Sequence, residues 1–260
     1  MTLSPYWPAS WPLDAFRSIE RMGEYFPDDR LTRYPLRFLR YWFVRQQIEA
    51  HAERLGRPLD VLEVGVDRGQ MLTFMSDDAD GEGKLPAILR RWDAVDIACD
   101  AQLLRDKGYT SYTEFNVESG TRPPLTHSYD VVIYLHLLEH LHAPEACLRC
   151  FLPFLRQDGL ILGGSPTMPK FVADLGYEAR LKNRARKYGH VSVLSPERLE
   201  LFAASEGLQL RFLSGSYMMR NNGRGIENSP LWLRFNVAFG SLFPSIGGEV
   251  NFCMSRRGLA

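Results

Sequence analysis

Apolar positions between residues 35 and 55 recur at helical spacing, with Leu36, Leu39, Phe43 and Ile48 on one face. Pro35 suits a helix opening and Gly56 and Pro58 suit its end, so the pattern predicts one long amphipathic helix ahead of any strand. From Asp60 onward the spacing changes to short apolar runs separated by helical segments, which is how a parallel sheet covered on both faces reads. The runs fall at 61–65, 92–97, 111–116, 129–135 and 160–164, the last preceded by the turn Gln157-Asp158-Gly159. Helices are expected at 70–75, 101–107 and 144–155, with an Arg/Lys-rich one near 171–187. Ser195 and Pro196 then provide an N-cap and a first helical position for a helix that runs to Glu206 and stops at Gly207. Runs at 208–218 and 249–255 read as closing strands.

This order implies an α/β doubly wound sheet over residues 59–260, preceded by a helical cap over 1–58 and interrupted by an insertion at 219–248. No internal repeat divides it. Within the insertion, residues 230–244 are apolar around a helix, which fits a lid over an acceptor, a homodimer contact, an anchor near a lipid-linked substrate, or a core helix. The uncharged stretch from Arg234 to Glu249 is broken by Gly240, Pro244, Gly247 and Gly248 and is too short to span a bilayer. Peripheral contact at the inner face of a membrane stays open.

Composition narrows the function classes. Among 260 residues, 31 basic side chains balance 31 acidic ones, so no broad nucleic-acid footprint is expected. The four cysteines, Cys99, Cys147, Cys150 and Cys253, lack the paired spacing of a zinc module, and the opening residues lack a signal-peptide pattern, which together point to a reducing, cytoplasmic setting. The basic run Arg180, Lys182, Arg184, Arg186 and Lys187 suits either an anionic ligand or a solvated helix face.

Most of the chemistry sits at the ends of the expected strands. The first run breaks into Glu63, Gly65, Asp67 and Gly69, a turn where a ligand can approach the backbone. A dinucleotide fingerprint would need glycine at 67 and 70, where Asp67 and Gln70 stand, and a phosphate loop would be repelled by Glu63 and Asp67. An acidic turn suits a cationic or amine-bearing ligand instead. Asp96 ends the second run, where α/β folds bind ribose hydroxyls. It lies farther from the first motif than the roughly 20 residues of comparable nucleotide folds, and the surplus matches an acidic loop at 76–83. Asn116 ends the third run as either a ligand contact or a turn former.

Three of the six histidines, His136, His140 and His142, crowd the end of the fourth run, and His190 follows the fifth. Histidine there suits a general base. Together with Glu139, the first three are also a candidate set for a loosely held divalent ion, although no metal site is predicted.

These residues resemble the class I S-adenosylmethionine-dependent methyltransferases, whose first motif is an acid followed by Gly-x-Gly-x-Gly. Glu63, Gly65 and Gly69 match it, and Asp67 replaces the middle glycine. Leu138-Glu139-His140 resembles the Leu-Glu-His motif of ubiquinone-pathway and polysaccharide-linked branches, and Gly189-His190 with Ser195-Pro196 and Leu199 resembles a segment of polysaccharide-linked methyltransferases. The resemblance implies a Rossmann-like sheet of about seven mostly parallel strands with the last antiparallel. It also implies S-adenosylmethionine as cofactor. Glu63 would organise its amino group, the backbone from Gly65 through Asp67 to Gly69 would border its carboxylate and sulfonium, and Asp96 would hold its ribose beside Ile97. Asn116 would meet the adenine amino group, the Val117 amide would meet a ring nitrogen, and Leu135 would flank the site. A histidine, His140, His136 or His190, would deprotonate an acceptor hydroxyl. The implied acceptor is a sugar or glycan; a quinone-like or natural-product molecule, or a non-catalytic binding role on the same fold, are the alternatives.

Overall fold

A computed structural model describes residues 16, 20–76, 84–98, 100–177, 189–220 and 224–258. The acidic loop beyond Ser76 and the basic run at 180–187 lie outside these residues. Seven strands form one sheet: β1 (Leu59–Val64), β2 (Leu89–Asp96), β3 (Ser111–Glu114), β4 (Tyr129–Leu135), β5 (Leu155–Pro166), β6 (Leu208–Gly215) and β7 (Glu249–Arg256). Their spatial order is β3-β2-β1-β4-β5-β7-β6, and β7 alone runs antiparallel, paired with β5 on one side and β6 on the other. The sheet is thus the one the resemblance implies.

Helices α1 (Leu39–Leu55), α2 (Gln70–Met75), α3 (Ala101–Asp106), α4 (Pro144–Phe151), α5 (Pro196–Ser205) and α6 (Pro230–Leu242) complete the fold. Central strands are buried on both faces, and alternate residues feed two cores. Val61, Val131, Ile133 and Leu162 pack with α1, α2 and α6, whereas Leu62, Val132, Tyr134 and Ile161 pack with α4 and α5. No helix among the described residues is long and apolar enough to cross a membrane.

Several boundaries differ from the sequence pattern for physical reasons. Residues 36–38 form a 3-10 turn before α1, and the first six residues of α1, Leu39 through Val44, are all buried, so its amphipathic stripe begins only in the second half. Pro153 converts the end of the expected 144–155 helix into a 3-10 turn, Leu152–Phe154. The turn residues Gln157-Asp158-Gly159 lie inside β5, within the irregularity where pairing with β4 jumps from Tyr129↔Leu155 to Val131↔Leu160. The helix expected near 171–187 is described only at its start, as an α turn over Lys170–Val172 continuing into a π turn over Ala173–Tyr177.

In α6 the insertion places Leu233, Asn236, Val237 and Gly240 inward and leaves Leu231, Phe235 and Leu242 exposed. Gly240 lies so close to β6 that a Cβ there would sit 2.2 Å from the Gly215 carbonyl oxygen. Gly240→Ala is therefore expected to lower unfolding stability by about 1–3 kcal/mol in urea titration. Gly225→Ala, where the added Cβ meets nothing within 4 Å, serves as its control.

Candidate active site

The end of β1 is shaped by three left-handed residues in alternation: Gly65 (φ +79°), Asp67 (φ +47°) and Gly69 (φ +75°). Gly65 has no alternative, because a Cβ would also stand 2.8 Å from Cβ of Leu137. Asp67 adopts the conformation that a glycine would take, which aspartate tolerates better than most residues. Its backbone amide donates to Oδ2 of Asp96 (3.1 Å), and its carboxylate accepts from Nε2 of Gln70 (2.9 Å). Substituting the middle glycine has thus left a left-handed loop and tied it to β2.

Asp96 is held from both sides, since Oδ1 accepts the amides of Ile97 (2.6 Å) and Ala98 (3.4 Å). Glu63 is buried, and its Oε2 accepts Tyr109 Oη (2.6 Å) and Trp92 Nε1 (3.0 Å). Burial pushes its pKa up to about 7; the two donors oppose that rise and the Asp96 charge adds to it.

Glu63, Gly65, Asp67, Asp96, Ile97, Leu135, His136 and His140 all line one cavity of about 550 Å³ at the carboxyl ends of the strands, together with Phe26, Arg40 and Tyr41. That is where open α/β sheets bind ligands, and the volume falls in the range of about 300–1,000 Å³ typical of small-molecule sites. Gly69, Asn116, Val117 and His190 do not line it. Asn116 is exposed and its Oδ1 accepts the amide of Glu118 (2.9 Å), the arrangement of a turn-forming asparagine. His142 is exposed on the outside, with Nδ1 3.6 Å from Glu118.

The histidines differ sharply in what surrounds them. His136 is left-handed (φ +53°) and stands between two buried carboxylates, Nδ1 3.0 Å from Oε1 of Glu139 and Nε2 3.1 Å from Oε1 of Glu249. Burial and Arg40 favour the neutral ring, but the two carboxylates outweigh them and raise its pKa. Arg40 and the Tyr217 hydroxyl also reach Glu249, and Ser165 Oγ donates to Oε2 of Glu139 (2.8 Å). The result is a buried, charge-balanced chain: Arg40, Glu249, His136, Glu139. His140 is placed otherwise. Its Nδ1 faces the carbonyl of Gly189 (3.2 Å), and its ring meets that of His190 edge-on at 4.9 Å. A carbonyl can only accept, so Nδ1 carries a proton, and Nε2 is the ring nitrogen left to exchange one.

A family model described as a methyltransferase domain matches residues 36–211, more than half of the chain. The chain belongs to this methyltransferase-domain family. No curated protein matches the sequence. Solved structures share the fold of this methyltransferase domain at low identity. The plantazolicin methyltransferase BpumL in complex with SAH is 14% identical over 86% of this chain and 85% of that one, with a TM-score of 0.51. The CurJ carbon methyltransferase is 13% identical over 92% and 62%, with a TM-score of 0.55. The [4+2]-cyclase SpnF is 12% identical over 82% and 81%, with a TM-score of 0.51.

Sequence reasoning missed several residues of the methyltransferase domain's cavity and its support: Phe26, Arg40, Tyr41, Trp92, Tyr109, Ser165, Tyr217 and Glu249. Only Arg40 carried a signal, as a charge amid the apolar first half of a helix.

Proposed function

We propose that this chain is an S-adenosylmethionine-dependent O-methyltransferase that acts on a sugar or glycan hydroxyl, with His140 as general base. The observation that carries the assignment is the placement of His140, whose ring lines the same cavity as Glu63, Gly65 and Asp96 with Nδ1 committed to Gly189. S-adenosylmethionine supplies a methyl group on a sulfonium, which needs no further activation as a leaving group. The residues present fit it: the glycine-bearing loop leaves backbone accessible, and two carboxylates face a cationic, ribose-bearing ligand.

The protein's own work is to align, exclude water and take one proton. Asp96, held by three backbone amides, presents its oxygens at the end of β2. Nε2 of His140 would take the proton of the acceptor hydroxyl, while Asp96 and the Gly65–Gly69 loop would hold the sulfonium that supplies the methyl group. His136, whose two ring nitrogens both face buried carboxylates, Glu139 and Glu249, acts as a support. The likeness of residues 189–199 to polysaccharide-linked methyltransferases supports the sugar acceptor. The exposed apolar side chains Phe171, Leu242, Phe243 and Ile246, around a groove beyond the end of β5, support an acceptor with an apolar carrier.

Incubation with S-adenosylmethionine and a panel of sugar nucleotides, glycolipids, phenols and amines tests this reading. A sugar product methylated on oxygen, with one SAH released per methyl, is expected. Methylation confined to nitrogen or carbon contradicts it, and methylation confined to phenols replaces the acceptor class while keeping the base.

Glu63 adds a pH dependence. The ligand's ammonium group nearby favours its carboxylate, so binding lowers a pKa that stands at about 7 in the free protein. Binding then releases a proton below that pH, and affinity for SAH rises as pH increases toward 7 and levels off above it. Titrations in buffers of different ionisation enthalpy read the released proton directly. Glu63→Gln is expected to abolish the release.

A further inference from the structure

Among the described residues one group of histidine and acidic side chains is close enough to share an ion: Glu139, His140 and His190, each with a ligand atom within 4.8 Å of the other two. The spacing of the sequence grouped Glu139 with His136, His140 and His142 instead. In the structure His142 turns outward to Glu118 and His136 bridges two carboxylates. His190, some fifty residues along the chain, takes their place beside His140.

Three observations show that this group is built rather than accidental. Glu139 is buried with Oε2 anchored by Ser165, while its Oε1 lies 3.0 Å from Nδ1 of His136 and 3.9 Å from Nε2 of His140, the edge that faces the two other ligands. The Nδ1 of His140 faces a backbone carbonyl, which is the outer partner that metal-ligating histidines almost always have. The segment carrying His190 is stitched to the turn carrying Glu139, because the amides of Val191 (2.8 Å) and Ser192 (3.0 Å) both donate to the Glu139 carbonyl. Ser192 Oγ adds a third bond to the Leu141 carbonyl (2.5 Å). The two pieces of backbone therefore hold the three ligands in a constant relation.

We propose that Glu139, His140 and His190 bind one divalent ion of the zinc class at the acceptor end of the cavity. Two imidazoles and one carboxylate suit Zn²⁺, Co²⁺ or Fe²⁺ and disfavour Mg²⁺ and Ca²⁺, which prefer oxygen ligands. Tetrahedral coordination at about 2.1 Å puts ligand atoms about 3.4 Å apart, so the group closes by about an ångström, which rotation of the exposed His190 side chain supplies. Three protein ligands leave a fourth position for an oxygen donor. Of the three ligands His140 lines the cavity, so the ion would border it there. Ion binding stands independently of methyl transfer; its role in activating a hydroxyl rests on the function proposed above, and with the ion in place Nε2 of His140 is a ligand and no longer the base.

The test is uptake of Co²⁺ and Zn²⁺ by the full-length protein after chelator treatment, followed by visible absorption and calorimetry, with SAH binding measured on the same samples. One Co²⁺ per chain is expected, with d–d bands, no thiolate charge-transfer band, and displacement by Zn²⁺. His190→Gln, an exposed substitution that leaves the core untouched, weakens uptake at least tenfold, as does His140→Gln, whereas His142→Gln leaves it unchanged. Absence of stoichiometric uptake, or uptake that survives His190→Gln, overturns the site. SAH binding without metal uptake rejects the ion and spares the methyltransferase reading; metal uptake without SAH binding does the reverse.

Discussion

Replacing His140 with glutamine is expected to lower kcat for methyl transfer by about 10²–10⁴-fold, the usual contribution of a positioned general base, and to leave SAH affinity unchanged. Glutamine can still donate its amide to the Gly189 carbonyl, so the Gly189–Ser192 segment keeps its place, but it has no group that accepts a proton near neutral pH. The contrast with His136→Gln separates chemistry from support. His136 stands between Glu139 and Glu249 at 3.0 and 3.1 Å, with both ring nitrogens taken up by these buried carboxylates, so its loss is expected to show chiefly as lower stability. Steady-state kinetics and SAH calorimetry on the two variants check both statements. A His140→Gln enzyme of undiminished kcat would remove the base from the mechanism.

Arg40→Met is expected to produce the largest stability change, about 3–5 kcal/mol, because it takes the guanidinium from a buried carboxylate and leaves it only His136 and the Tyr217 hydroxyl. Arg40 comes from α1 and meets Glu249 on β7 in a buried ion pair at the cavity wall, which links α1 to the antiparallel strand and, through His136, to Glu139. Burial alone would raise the pKa of Glu249, but Arg40 and His136 outweigh it and hold it at about 2. The sign follows from linkage. A carboxylate depressed from 4.5 to about 2 contributes its stabilisation in full above its unfolded pKa and loses it as pH falls toward 2. Wild-type stability is therefore expected to drop steeply between those values in urea titrations. In the double variant Arg40→Met/Glu249→Gln, which removes both charges, the drop flattens and part of the neutral-pH loss returns. No recovery in the double variant would mean that Arg40 acts through packing and not through charge.

How much of this was legible in the chain depends on how far apart the cooperating residues lie. Glu63, Gly65, Asp67 and Gly69 are consecutive or nearly so, and the backbone they shape is local, so their cluster at the end of β1 could be read directly. Asp96 was readable for the same reason, as the last polar residue of an apolar run. The antiparallel placement of β7 came from the resemblance and not from periodicity, since an apolar run reads alike in both directions. The states of the histidines were out of reach. His136 and His140 differ because Glu249 and Gly189, brought in by β7 and by the segment after β5, meet different faces of the turn that follows β4. Nothing in the spacing of residues 136–142 distinguishes a ring clasped by two carboxylates from one bonded to a single backbone carbonyl. Likewise, Asn116 satisfies Glu118 locally, a choice a strand-end asparagine makes only once the chain has turned.

The claim on which the rest depends is that the cavity bounded by Glu63, Gly65 and Asp96 binds S-adenosylmethionine, and calorimetric titration of the wild type and Asp96→Asn with SAH, with NAD as control ligand, addresses it most directly. Micromolar SAH binding to the wild type, weakened at least about tenfold, or about 1.4 kcal/mol, by Asp96→Asn and accompanied by no NAD heat, is the expected result. No heat and no thermal shift with SAH in a folded wild-type sample would contradict it.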